Sequence, residues 1–256
     1  MVRVAFNFSI DLFLCMPHIL KWQGFRKEAV FALAGLCGVC LYYLFENIAL
    51  TFTLASNVSV IISASPFFTA LLSHYCIREG SRPSARFYLG FVLAMAGIVM
   101  LNYGQSGWDT GISGNLLALA AAFIWSCYSL LSRKISSFGL NLIQTTRRTF
   151  IYGLIFMIPF LLAMDFAPDP YFILRPDVLA NLAFLSFGAS ALCFVTWNKA
   201  VSVLGALATS IYIYLVPVVT AIASALVLRE PVTVLRTAGI VLVLAGLVLS
   251  RQRQKD

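Results

Sequence analysis

Charge is scarce in this sequence: Asp, Glu, Lys and Arg make up 11% of its 256 residues, against about 25% in an ordinary soluble domain. With 61% of its residues apolar, the chain cannot cover a water-facing globule with polar side chains, so an ordinary soluble fold is excluded. Histidine is scarcer still, with only His18 and His74. No G-x-S-x-G, H-E-x-x-H or paired catalytic aspartates occur, which removes the usual nucleophile and zinc plans for intramembrane hydrolysis. A phosphate-cradling glycine loop is absent too, so ATP-driven transport by this chain is not expected. The expectation is no enzyme, no cofactor and no metal. Cysteines are present, but Cys15, Cys37, Cys40, Cys76, Cys127 and Cys193 all lie in apolar runs, where the thiol behaves as a small hydrophobe. Cys37 and Cys40 form a C-x-x-C without a second Cys or His pair nearby, a weak metal or redox signal.

What the chain does have is long apolar runs, at 4–20, 29–51, 56–77, 87–104, 114–133, 149–165, 178–198, 206–228 and 235–250. Each approaches the roughly 20 residues that a helix needs to cross a bilayer. The first carries Asp11 and lacks a small-x-small cleavage site before Lys21, so it reads as a retained span. The basic residues, a net charge of +8, fall in the short connections, where membrane topology explains them and nucleic-acid binding is not needed. With residue 1 outside, every Lys and Arg except Arg3, Arg175, Arg229 and Arg236 lies on the inner side. Positive charge collects on the cytoplasmic side. The expectation is a multi-pass protein of a bacterial cell (inner) membrane with a cytoplasmic C-terminus.

Two distant stretches share their text. Shifted by 151 positions, residues 47–79 match 198–230 at Asn47/Asn198, Ser59/Ser210, Pro66/Pro217, Thr69/Thr220 and Arg78-Glu79/Arg229-Glu230, among others. At an offset of 149 the register continues through Gly90/Gly239 and Gly97/Gly246, small residues that let helices approach. The second copy, 113–251, holds five spans, and the first, 1–107, holds four. Copies with an odd number of spans lie in opposite orientations, the inverted-repeat plan of many secondary carriers. A counterpart of Leu116–Ile135 is expected before Met1.

The segments Phe45–Asn57 through Pro66 to Arg78-Glu79, Ala122–Lys134, and Trp197-Asn-Lys-Ala200 through Pro217 to Arg229-Glu230 together resemble the EamA-like family of the drug/metabolite transporter superfamily. The resemblance covers nearly the whole chain. It implies an all-α polytopic membrane protein on a ten-helix plan of inverted five-helix repeats, here about nine spans with the first helix missing. It further implies a central cavity and alternating access, with export of metabolites, amino acids or drug-like compounds. The partners expected are a small-molecule substrate and the lipid bilayer, with a homo-oligomer left open. Alternatives are a truncated, non-transporting remnant of such a carrier and a membrane-embedded enzyme.

Ser59, Ser63 and Pro66 follow i, i+4, i+7 and share a helix face, with Ser210, Tyr214 and Pro217 as repeat partners. Small polar groups can wet a cavity, and proline frees a carbonyl and permits a kink; helix packing is the plainer alternative. Trp125 and Tyr128 resemble aromatic positions bordering the cavity in the family. Asn47 and Asn198 join the candidates as matched polar residues of the repeat, while Trp197, near a helix end, reads as an interfacial anchor. Glu46 lies within an apolar run beside Asn47, which makes it a proton-coupling candidate, with an interhelical hydrogen bond as the alternative. Arg147 and Arg148 are expected to snorkel toward lipid headgroups at the start of a span. The Arg-Glu pairs are expected at the membrane boundary.

Overall fold

In lipid, a backbone must satisfy its own N–H and C=O groups, and apolar runs of this length do so as helices. The computed structural model describes residues 22–53, 55–77, 84–102, 112–163, 175–227 and 233–250, and among them every regular element is helical. In chain order these are α1 (Phe25–Phe52), α2 (Ala55–Ile62), α3 (Ser65–Leu72), α4 (Ala85–Asn102) and α5 (Ile112–Ser136). They continue with α6 (Leu142–Ala163), α7 (Pro176–Leu204), α8 (Ala206–Ser210), α9 (Leu215–Val227) and α10 (Val234–Ser250). The stretches Phe25–Phe52, Asn57–Tyr75, Ile112–Ser136, Leu142–Ala163, Pro176–Leu204 and Ala206–Ala223 are long and apolar enough to cross a bilayer. Shorter apolar stretches, Ala85–Leu101 and Thr237–Ser250, supply two more helices. Every expected span after the first thus has a helical counterpart. The span at 4–20 with Asp11, and the pairs Arg78-Glu79 and Arg229-Glu230, lie outside the described residues.

Local chemistry sets several ends. Arg175 is extended, Pro176 occupies the first turn of α7, and Asp177 follows it there, a proline-then-acid start that suits the orphan N–H groups and the helix dipole. Gly205 ends α7 with φ +88°, a conformation that L side chains rarely adopt. The α6 helix starts at Leu142 rather than near 149, because the Asn141 side chain accepts the Ile143 N–H at 2.9 Å and caps it.

Two expected spans are interrupted. Pro66 has no N–H to give the Ile62 carbonyl. The Ser65 hydroxyl donates to that carbonyl instead, and the chain turns at Ser63–Ala64 between α2 and α3. Before Pro217 the chain tightens into a 3-10 turn, Ile211–Tyr214, between α8 and α9. The two interruptions are repeat-related, since 63–64 plus 151 is 214–215, the last residue of the 3-10 turn and the first of α9. The long helices α1 and α7 also loosen into π-helical stretches, Leu36–Leu41 and Phe184–Leu192. Adding 151 to 36–41 gives 187–192, inside the second stretch.

The chain packs as two compact units. In the first, described residues up to Asn47 join Cys127–Gly205; in the second, Ile48–Ser126 join the residues from Ala206 onward. Each unit therefore combines residues of both repeat copies. In the first, α1 and α6 cross at Gly35 and Gly153, where a Cβ on Gly35 would stand 2.6 Å from the Gly153 nitrogen. Beside them Phe194 is buried against Phe150, Tyr128 and Tyr43. In the second unit, Gly90 lies against Gly246 and Gly97 against Gly239, so α4 and α10 run antiparallel in close contact. Phe87, Ile98, Tyr214, Val218 and Val243 build the core over that pair.

Candidate functional site

One end of the first unit gathers charge. Glu28, in the first turn of α1, is 5% exposed and accepts from Arg148 Nη1 at 2.6 Å and from the Tyr152 hydroxyl at 2.8 Å. The Gln23 N–H adds a third donor at 3.0 Å, and the Arg148 guanidinium lies over the Phe31 ring. These contacts overturn the expected snorkelling of Arg147 and Arg148. Both arginines are buried, at 9% and 6% exposure, because α6 begins before them and faces Glu28. Arg133 on α5 reaches the Ser202 carbonyl at 2.8 Å and satisfies part of the open C-terminal end of α7. Lys27 lies over the Phe138 ring.

Beside this charged end is a cavity of about 240 Å³, bounded by α5, α6, the loop joining them and α7. Tyr128, Ser132, Ser136, Thr145, Thr149 and Ser202 bring hydroxyls to its wall; Asn198 adds an amide and Lys199 an ammonium. Asn198 organises one side. Its Oδ1 accepts from the Tyr128 hydroxyl at 2.8 Å and from Ser132 Oγ at 2.6 Å, and its Nδ2 donates to Thr146 Oγ1 at 3.0 Å. Three helices are thereby tied by one buried amide. Each of these partners would pay desolvation if left unpaired, so the network holds the wall in one arrangement.

The sequence candidates fall in both units. In the first, Tyr128 and Asn198 meet at the cavity, whereas Asn47 Nδ2 turns back to the Tyr43 carbonyl at 2.6 Å and Glu46 accepts from the Tyr42 hydroxyl at 3.2 Å. The matched asparagines thus have different partners. In the second unit, Ser63 donates to the Ser59 carbonyl at 2.8 Å, and Ser210 to the Leu207 carbonyl at 2.8 Å. Ser63, Pro66, Ser210 and Pro217 are buried, Ser59 is exposed and Trp125 is half-buried. Ser126, one residue after Trp125, donates to the Ser65 carbonyl at 2.9 Å and so covers an oxygen at the α2/α3 interruption. Tyr214 is fully buried in the apolar core, and its hydroxyl has no hydrogen-bond partner among the described residues. Trp197, expected as an interfacial anchor, has its indole nitrogen buried.

Sequence reasoning passed over Glu28, which stands just before an apolar run beside Arg26 and Lys27 and reads as one more boundary charge. It also passed over Ser132 and Thr146. The four-residue spacing of Tyr128 and Ser132, which places them on one helix face, was the available signal.

Antiparallel repeat-related helices, apolar enough to span a bilayer and polar at selected interior points, are those of a multi-pass membrane protein. The sequence pattern of the EamA-like transporter family matches residues 2–103 and 112–252. An uncharacterized transporter of Archaeoglobus fulgidus is 30% identical over 262 residues, covering 97% of this chain and 88% of that protein. A "probable amino-acid metabolite efflux pump" of Salmonella typhimurium is 27% identical over 209 residues, 77% of this chain and 67% of its own. A solved crystal structure shares the fold with a TM-score of 0.75 at 18% identity, over 97% of this chain and 84% of that one. The chain belongs to the EamA-like transporter family.

Proposed function

We propose that the protein is a secondary carrier that exports small metabolites, amino acids or drug-like compounds across the cell membrane by alternating access. The observation that carries this reading is the pair of repeat-related interruptions, the turn at Ser63–Ala64 before Pro66 and the 3-10 turn Ile211–Tyr214 before Pro217. Broken helices at matching positions of two repeats are where carriers of this kind free backbone groups for substrates and coupling ions. The buried Tyr214 hydroxyl, without a partner among the described residues, supports it, since such a group costs stability of about 1–3 kcal/mol unless a partner is supplied. The relative described as an amino-acid metabolite efflux pump supports the substrate class. In this reading Asn47, Tyr128 and Asn198 of the first unit are substrate-path residues, and in the second unit so are Ser59, Ser63, Pro66, Trp125, Ser210, Tyr214 and Pro217. Glu46 couples transport to protons, and the C-terminus faces the cytoplasm.

Flux through reconstituted vesicles tests it. Purified protein, loaded against amino acids and aromatic metabolites, is expected to catalyse counterflow of at least one of them. Glu46→Gln is expected to keep counterflow and lose accumulation driven by a pH gradient. No counterflow with any substrate class would remove the carrier reading, and unchanged pH-driven accumulation in Glu46→Gln would remove the coupling role alone.

A further inference from the structure

The cavity in the first unit has an unusual hydrogen-bonding balance. A hydroxyl has one proton to donate, and every hydroxyl on this wall already donates it to the protein. Tyr128 and Ser132 donate to Asn198 Oδ1, Ser136 to the Arg133 carbonyl and Thr145 to the Leu142 carbonyl. Thr149 donates to the Thr145 carbonyl and Ser202 to the Lys199 carbonyl. What these oxygens have left is the capacity to accept. The wall therefore suits a ligand group rich in N–H or O–H donors.

The charges around the cavity ask for something else. Lys199 lines it, and Arg133, Lys134, Arg147 and Arg148 stand on the helices that form it. Glu28 on α1, an acidic side chain at this end of the unit, is already engaged by Arg148, Tyr152 and the Gln23 N–H. A simple cation would find the acceptors but meet net positive charge. A simple anion would find Lys199 but meet oxygens whose protons are committed. A volume of about 240 Å³ is room for roughly eight water molecules at liquid density, enough for a small head group.

We infer that this cavity is a binding site for a small zwitterion, with an ammonium seated among the accepting hydroxyl oxygens and an oxyanion paired with Lys199. Two sources offer that chemistry, a free amino-acid-like solute and the head group of phosphatidylethanolamine. The inference rests on the carrier reading, which puts Tyr128 and Asn198 on the substrate path, but it is read by equilibrium binding, so its failure is distinguishable from a failure of flux.

The test uses the full chain in phosphatidylcholine nanodiscs, whose quaternary head groups carry no N–H. Leucine, isoamylamine and isocaproate are titrated as zwitterion, cation and anion of similar size. A parallel measurement by native mass spectrometry compares retention of phosphatidylethanolamine with that of phosphatidylcholine. Lys199→Ala, at an exposed position, removes the oxyanion partner with little risk to folding, and Thr149→Val removes one accepting oxygen while keeping the shape. Leucine binding that is about tenfold tighter than either analogue, and that both variants weaken, supports the inference with a solute as ligand. Selective, Lys199-dependent retention of phosphatidylethanolamine without leucine binding supports it with the lipid as ligand. Equal affinities for the three probes with no lipid preference overturn it. So does leucine binding that Lys199→Ala leaves unchanged, which would belong to another site.

Discussion

At the scale of single residues, the Glu28–Arg148 pair is the feature with the largest expected cost of disruption. Removing one partner strands the other charge in a buried setting, a loss of about 3–5 kcal/mol, whereas replacing both by apolar residues of similar volume is near neutral. Arg148→Met and Glu28→Leu are each expected to lower thermal stability sharply in detergent, and the double variant to recover most of the loss. A double variant whose loss equals the sum of the two single losses would show that the two side chains contribute separately. The pair illustrates why site residues were only partly legible in the sequence. Tyr128 stood out by its resemblance to an aromatic position of the family and Asn198 by its repeat position, and they do meet at the cavity. Glu28 and Arg148 are separated by 120 positions, and nothing in one sequence says that two boundary-looking charges face each other. Burial converts such charges from lipid-facing to paired, and burial depends on where α6 starts. Its start, seven residues before Thr149, is decided by the side chain of Asn141.

At the scale of elements, glycine decides how closely helices approach. A Cβ at Gly246 would stand 2.6 Å from the Gly90 carbonyl oxygen, closer than real side chains come. Gly246→Val is therefore expected to push α10 away from α4 and reduce both stability and folded yield. Gly188, in the π-helical stretch of α7, is the matched control: its nearest neighbour would be Phe184 at 3.7 Å. Gly188→Ala is expected to fold normally, with a gain of up to about 1 kcal/mol because alanine loses less backbone entropy in a helix. Melting curves of the two variants side by side check the contrast, and equal tolerance would mean that the α4/α10 approach is looser than described. The spacing of Gly90, Gly97, Gly239 and Gly246 was readable from the repeat. The π-helical stretches of α1 and α7 were not, because no residue type marks them as proline marks the interruptions.

At the scale of the whole molecule, hydropathy alone outlined the spans, because a bilayer asks the same length and the same apolar character of each of them. The helical counterparts of all spans from 29–51 onward follow from that constraint. Positive charge adds an orientation: a reporter fused after Asp256 is expected on the cytoplasmic side, as a fluorescent protein that lights up and an alkaline phosphatase that stays inactive. The reverse pattern would invert the topology read from Lys and Arg. The antiparallel pair α4 and α10 has a consequence of a different kind. Gly90 meets Gly246 while its repeat counterpart Gly239 meets Gly97, so each copy offers the other the same patch and receives it in return. That is the geometry of a symmetric dimer, here joined into one polypeptide. Equivalent substitutions at both repeat positions therefore alter this seam identically on either side of the axis, whereas a single one breaks its symmetry.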